Sequence, residues 1–149
     1  MMGDTQLNAA EIKIGVVGLG LMGCSITTCL LMAGHPVVAV APVSVDLTFA
    51  LKRITKHLQR SRREKLVTQA PDFYLQHLHI TESYDQLQGC ALVIECTLEN
   101  LDIKKSVYSK IEAVIDKNAL LASNTSAIPI SILQQQTTHP SRFFGLHWA

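Results

Sequence analysis

The 149-residue sequence has little of several features that would direct it to particular classes of protein. An excess of one charge is nearly absent, because 13 Lys and Arg residues against 12 Asp and Glu residues leave a formal net charge of +1. This balance provides no general basic field for nucleic acid or an anionic membrane. No uninterrupted apolar run approaches the roughly 18 residues that span a bilayer. We therefore expect neither nucleic acid nor a membrane as a partner.

Cysteine is also sparse, and its spacing excludes the common metal and redox motifs. The four cysteines, Cys24, Cys29, Cys90 and Cys96, form no C-x-x-C pair and have no His at metal-ligand spacing. The first residues contain acids and amides where a secretory signal would have a basic start and an apolar run. We therefore expect buried free thiols, no metal site and a cytoplasmic location.

What the sequence does contain is apolar residues, 48% of the chain, in short runs that alternate between strand and helix patterns. Predicted strands cover residues 12–17, 37–41, 77–81, 91–95, 119–122 and 142–146. Predicted helical segments cover residues 21–33, 45–67, 84–87, 101–115 and 130–136. This alternation predicts an α/β fold with a doubly wound, mostly parallel sheet. We expect a single domain over residues 12–149 behind an N-terminal tail of residues 1–11.

A glycine motif, G-x-G-x-x-G, lies between the first predicted strand and the first predicted helix. Gly18 allows a tight turn, Gly20 lets a pyrophosphate approach the backbone, and Gly23 lets the helix pack closely on the strand. Leu21 and Met22 open the helix, where unpaired N–H groups can bind phosphate. The motif predicts dinucleotide binding in a Rossmann-like fold. The alternative is that these glycines serve only strand-to-helix packing.

The acid that holds the adenosine ribose in NAD-binding domains is missing from its usual place. About 20 residues after the glycines, at the end of the second strand, the sequence has Ala41 followed by a proline. Asp46 comes later, in the first turn of the next helix, where a carboxylate is common for dipole reasons alone. We expect weakened NAD binding, with NADP as an alternative through Ser44 or the basic face of that helix.

Three segments of the second half resemble the 3-hydroxyacyl-CoA dehydrogenases. Residues 93–104 match the V-x-E-A-x-x-E-x-x-x-x-K pattern of that family, apart from Cys96 in place of alanine. Residues 123–126 match S-N-T-S, and residues 142–147 match R-x-x-G-x-H. The resemblance covers about residues 12–149, and it implies NAD-dependent oxidation of the L-3-hydroxyl group of a fatty acyl-CoA to a ketone.

The resemblance also implies roles for individual residues. His147 would be the general base for the hydroxyl proton, and Ser126 would hydrogen-bond the substrate oxygen. Glu99 and Lys104 would line the cofactor site near the nicotinamide, and Asn124 would belong to that site and shape the turn that carries Ser126. Imidazole suits this reversible proton transfer because it titrates near neutral pH. The alternatives are a hydrogen-bonded histidine at the sheet edge, and a capping or turn role for Ser126.

Other features of the family are not found in this sequence, namely a glutamate shortly after the histidine and an all-helical second domain. We therefore expect a cofactor-binding portion of a longer enzyme, inactive or weak alone, with acyl-CoA and a homodimer partner served by the absent domain. A free-standing module is the alternative. Two other functions stay open. One is a dehydrogenase of another 3-hydroxyacid, because the glycine motif is also similar to the motif of such dehydrogenases. The other is a non-catalytic dinucleotide-binding module or a degenerate scaffold.

Overall fold

A computed structural model of the protein describes residues 7–149. Its centre is a six-stranded sheet in the order β3-β2-β1-β4-β5-β6, and every neighbouring pair of strands is parallel. The strands are β1 (Ile14–Val17), β2 (Val37–Val40), β3 (Leu78–Thr81), β4 (Leu92–Glu95), β5 (Leu120–Ser123) and β6 (Phe143–Gly145). The chain leaves β1 in one direction for β2 and later returns to its other side for β4, so the predicted doubly wound fold is confirmed.

Within residues 7–149, five α-helices cover the two faces of this sheet. They are α1 (Leu21–Met32), α2 (Ser44–Arg63), α3 (Pro71–Leu75), α4 (Leu101–Glu112) and α5 (Ile130–Gln134). Single 3₁₀ turns occupy Ala9–Glu11, Tyr84–Leu87 and Pro140–Arg142. The expected tail of residues 1–11 therefore contains a turn at its end, and its residues 1–6 lie outside the described part of the chain.

Alternation along the strands divides the apolar residues between two cores. Val16 of β1 packs in the core under α1 and α2, whereas its neighbour Val17 packs in the core under α4 and α5. All residues of β1 and β2 are buried because both faces of the sheet are covered. The continuous apolar runs in the sequence are explained by this double coverage.

The structure departs from the predicted elements in two places. The helix expected to reach residue 67 ends at Arg63, since Lys65 has a left-handed backbone with φ of 59°. The short helix α3 has no counterpart in the prediction, because five residues are too few to show a helical period. It begins with Pro71 at its first turn, and Tyr74 anchors it to the core.

The cysteines are free thiols, with Cys24 and Cys90 buried and Cys29 and Cys96 partly buried. Between residues 7 and 149, no helix combines the length and apolar character needed to cross a membrane. Over the same residues, no three His, Cys, Asp or Glu side chains are grouped as metal ligands would be.

Candidate functional site

A crevice runs along the carboxyl ends of the strands, on both sides of the point where the strand order reverses. It consists of two cavities that share residues 96–98, the loop after β4. We name the first, about 280 Å³, the β1–β2 cavity, because the loops after β1 and β2 form its other walls. The second, about 430 Å³, is the β4–β6 cavity, and the segments after β5 and β6 complete it. Ligands of open α/β sheets bind at this kind of edge.

The three glycines of the β1–α1 turn differ in what surrounds them. Gly18 has φ of 98°, and a Cβ there would lie 2.7 Å from the carbonyl oxygen of Cys96. A Cβ on Gly23 would overlap the carbonyl oxygen of Gly18. A Cβ on Gly20 would meet no atom within 4 Å. The fold itself therefore requires Gly18 and Gly23, whereas Gly20 leaves open space beside the crevice.

The start of α1 fits a phosphate group. Gly20 is the residue that precedes the helix, and no side chain caps the first turn. Leu21 and Met22 are 76% and 39% exposed, so this turn is accessible. N–H groups of an uncapped first turn have no partner within the helix and attract anions. The turn and the space above Gly20 together suit the pyrophosphate of a dinucleotide.

The end of β2 contributes no polar side chain to the crevice. Ala41 is 1% exposed, and its N–H donates to the carbonyl oxygen of Thr81 over 2.9 Å. Asp46, in the first turn of α2, lines the β1–β2 cavity together with Gly18 and Gly20. Ser44 is exposed and is not among the residues that line this cavity.

Below the shared loop lies a hydrogen-bond network centred on Glu95, whose side chain is fully buried at the end of β4. Its Oε1 accepts hydrogen bonds from the N–H and hydroxyl of Thr97, both at 2.6 Å, and from Lys104 Nζ at 2.8 Å. Its Oε2 accepts from the Tyr108 hydroxyl at 2.9 Å and the Ser123 hydroxyl at 2.7 Å. Burial and the neighbouring Glu95 raise the pKa of Tyr108 far above its usual range, so Tyr108 stays a donor.

Lys104 lies in this network, and it does not line the cavities at the sheet edge where the resemblance implies the cofactor site. Its side chain is 1% exposed, it lines neither cavity, and its Nζ also donates to the carbonyl oxygen of Thr97 over 3.3 Å. The departure has a physical reason, since a buried carboxylate needs a charged partner and Lys104 supplies it. Lys104, Tyr108 and Ile111 lie on the buried stripe of α4, at spacings of four and three residues.

Glu99 and Asn124 hold the other two segments of the β4–β6 cavity. The Glu99 carboxylate accepts from the N–H of Ser126 at 3.0 Å and from the hydroxyl of Thr125 at 2.8 Å. Asn124 Oδ1 accepts from the N–H of Trp148 at 2.7 Å. Glu99 thus fixes the turn that carries Ser126, and Asn124 fixes the residue directly after His147.

Four of the expected site residues therefore line one cavity: His147, Ser126, Glu99 and Asn124. His147 follows β6 and Ser126 follows the neighbouring β5, and both residues are exposed. Met22 from the glycine turn lines this cavity as well. Cys96, shared by both cavities, is no nucleophile at neutral pH, because burial and then Glu95 raise its pKa to about 12.

An all-parallel doubly wound sheet, a glycine turn open to phosphate and polar side chains at the sheet edge define a dinucleotide-binding α/β domain. A model of the 3-hydroxyacyl-CoA dehydrogenase NAD-binding domain matches residues 13–149. The chain belongs to this family, and its cofactor class is accordingly NAD.

Individual relatives agree with this assignment. The chain is 36% identical over 138 residues to a 3-hydroxybutyryl-CoA dehydrogenase of Bradyrhizobium diazoefficiens, and the match covers 91% of this chain and 47% of the relative. It is 32% identical to a 5-formyl-3-hydroxy-2-methylpyridine 4-carboxylate 5-dehydrogenase of Mesorhizobium japonicum, over 92% of this chain and 44% of that protein. The crystal structure of M. tuberculosis FadB2 superposes with a TM-score of 0.86 at 36% identity, covering 91% and 48% of the two chains. The chain thus spans about half the length of these relatives.

Proposed function

We propose that residues 12–149 are the NAD-binding half of a dehydrogenase that transfers hydride between a 3-hydroxyacyl-CoA and NAD. The observation that carries this proposal is the placement of His147 and Ser126 in one cavity beside the glycine turn. Family membership supports it, since several relatives are named as dehydrogenases of 3-hydroxybutyryl-CoA. The same proposal includes an acyl-CoA substrate, a homodimer of the full-length enzyme, a cytoplasmic location and a place in fatty acid metabolism.

In the oxidation direction, His147 accepts the proton of the substrate 3-hydroxyl as the C3–H bond breaks. When bound, the nicotinamide would accept the hydride, so the substrate would become a ketone and His147 an imidazolium. In the reverse direction the imidazolium returns the proton to the carbonyl oxygen. A positioned group of this kind contributes about 10²–10⁴-fold to the rate.

Ser126 orients the same substrate oxygen through its exposed hydroxyl. The backbone N–H of Ser126 donates a hydrogen bond to the Glu99 carboxylate, and this bond holds the residue in place. Asn124 limits the position of His147 through the hydrogen bond to Trp148. We infer that Glu99 and Asn124 act as positioning residues at the nicotinamide end of the crevice. Gly18, Gly20 and the start of α1 hold the pyrophosphate.

Two observations favour other candidates. Ala41 brings no carboxylate to the end of β2, which makes NADP an alternative cofactor and a scaffold without cofactor an alternative function. The relative that acts on a pyridine carboxylate favours a substrate outside the acyl-CoA class.

Calorimetric titration of the 149-residue chain with NADH and NADPH separates the enzyme from the scaffold. We expect micromolar binding of NADH, and a folded chain that binds neither nucleotide would contradict the proposal.

Reduction of acetoacetyl-CoA by NADH tests the chemistry. We expect weak or no turnover by the 149-residue chain, and robust activity of this chain alone would contradict its assignment as half of a catalytic unit.

In the complete product of the reading frame, His147→Gln should lower kcat by about 10²-fold or more. His79→Gln is the matched control, because His79 is exposed on the edge strand β3. Equal effects of the two substitutions would exclude His147 as the base.

A further inference from the structure

The β1–β2 cavity contains one carboxylate, and it does not come from the end of β2. Among the described residues that line this cavity, Asp46 is the one acid, and its neighbours are mostly apolar, such as Pro42, Val43 and Ile103. Cys96 is protonated at neutral pH, since its pKa is about 12. Any ribose hydroxyl that enters this cavity therefore has one charged acceptor available.

Asp46 points inward although it lies in the first turn of α2. Asp46 lies four residues before Ala50 and eight before Ile54, so the three residues share one face of the helix. Ala50 and Ile54 are fully buried. The Asp46 side chain is 25% exposed. The sequence suggested a carboxylate that serves the helix dipole, and Asp46 does lie in the first turn of α2. In the structure its side chain also lines the β1–β2 cavity.

The carboxylate of Asp46 retains capacity for a ligand. Arg53 Nη1 lies 3.9 Å from Oδ1, which is the outer limit of an ion pair. The same Nη1 donates to the carbonyl oxygen of Leu19, between the first two motif glycines, over 3.3 Å. Arg53, at the middle of α2, thereby links this helix to the glycine turn and leaves the carboxylate beside the cavity.

We propose that Asp46 replaces the missing acid of β2: it accepts hydrogen bonds from the adenosine ribose hydroxyls and makes the site prefer NAD over NADP. The inference rests on the proposed function, in that it requires a bound dinucleotide. A 2′-phosphate would bring negative charge next to Asp46, whereas a free hydroxyl donates to it. The ribose acid has thus moved from the end of a strand to the first turn of the following helix.

Affinities of Asp46 variants for the two cofactors test this proposal without any turnover. NADH and NADPH are titrated against the wild-type chain, Asp46→Ala and Asp46→Asn, and the Kd ratio is compared. We expect Asp46→Ala to raise the Kd for NADH about tenfold, the loss typical of a hydrogen bond to a charged group. The Kd for NADPH should stay the same or fall. Asp46→Asn should raise the Kd for NADH less, because its amide oxygen still accepts.

Two controls isolate the carboxylate. Asp72→Asn removes an exposed acid from the first turn of α3, outside the crevice, and should leave both Kd values unchanged. Asp46→Ala/Arg53→Met removes the guanidinium as well, and the loss of NADH affinity should persist. Thermal unfolding of each variant establishes that it is folded.

The outcomes are distinguishable. If the wild-type chain binds NADH and Asp46→Ala binds it equally well, Asp46 does not hold the ribose, and the proposed function stands. If the wild-type chain binds neither nucleotide, the proposed function fails and this inference fails with it. An equal loss of NADH and NADPH affinity in Asp46→Ala would also overturn the proposed preference for NAD.

Discussion

The glycine turn contributes two residues without side chains, Gly18 and Gly20, to the β1–β2 cavity, whereas carboxylates and an amide hold the loops around the β4–β6 cavity. A Cβ on Gly18 would meet the carbonyl oxygen of Cys96 in the loop after β4, and a Cβ on Gly23 would meet the carbonyl oxygen of Gly18 within the turn itself. On the other side, Glu95, Glu99 and Asn124 each accept hydrogen bonds from neighbouring segments. One half needs residues that are small, and the other needs residues that are charged or polar.

The proposed function accounts for this difference. A pyrophosphate is bound by backbone N–H groups, so the chain must come close to the ligand and side chains are in the way. A proton transfer needs an imidazole and a hydroxyl in fixed positions, so the loops that carry them must be immobilised. In the β4–β6 half, the side chains of Glu99 and Asn124 hold these loops through hydrogen bonds to backbone N–H groups.

The largest expected effect comes from removing the buried charge of Glu95. Glu95→Gln leaves the Lys104 ammonium without a counter-charge in a site that is 1% exposed. Breaking a buried pair in this way costs about 3–5 kcal/mol, and we expect this loss in the free energy of unfolding measured with urea. Glu95→Gln/Lys104→Met removes the unpaired charge and should recover part of the loss. A double variant less stable than the single one would contradict this account.

We expect a smaller loss of unfolding free energy when a methyl group is added in the glycine turn. The size of this loss distinguishes a glycine that the fold requires from one that faces open space. Gly23→Ala forces a shift of the Gly18 backbone, so we expect about 2–3 kcal/mol lower unfolding free energy. Gly20→Ala meets no atom within 4 Å and should stay within about 0.5 kcal/mol of wild type. Gly20→Ala should nevertheless weaken NADH binding, because the methyl group would fill the space in which the pyrophosphate is proposed to bind. Equal destabilisation by both substitutions would remove the distinction.

The smallest effect concerns Glu112 at the end of α4, which holds a loop as Glu99 does. Burial alone would raise its pKa, but the N–H groups of Thr138 and His139 and the charge of Arg142 outweigh this and lower it. A lowered folded-state pKa means that this stabilisation is present above the unfolded value of about 4.3 and is lost as pH falls through the folded value. The free energy of unfolding, measured with urea between pH 6 and 3, should fall less steeply with decreasing pH in Glu112→Gln than in the wild type. An unchanged pH dependence would contradict this.

The elements around the glycine turn could be predicted because their signals are local. An apolar run followed by three spaced glycines is enough to indicate strand, turn and helix, and the structure has them at Ile14–Val17 and Leu21–Met32. The missing acid at Ala41 was also visible in the sequence. The inward direction of Asp46 was not, since it depends on how α2 packs over the turn.

The Glu95 network could not be predicted in the same way. Glu95 and Ser123 are 28 residues apart, and they become partners because the parallel register of β4 and β5 sets them side by side. A glutamate at the end of a strand is otherwise an ordinary exposed residue. The place of Lys104 in this network was hidden for the same reason, because a family motif records which residue is present and not which neighbour it pairs with.

By itself the sequence determined the alternation of strands and helices, the phosphate-binding turn and the family, since these depend on patterns within a few residues. The tertiary structure alone decided which polar groups are enclosed together and which face the crevice. The physical reason is that a buried charge is stabilised only by partners in contact with it, and sheet register and helix packing bring those partners from distant parts of the chain.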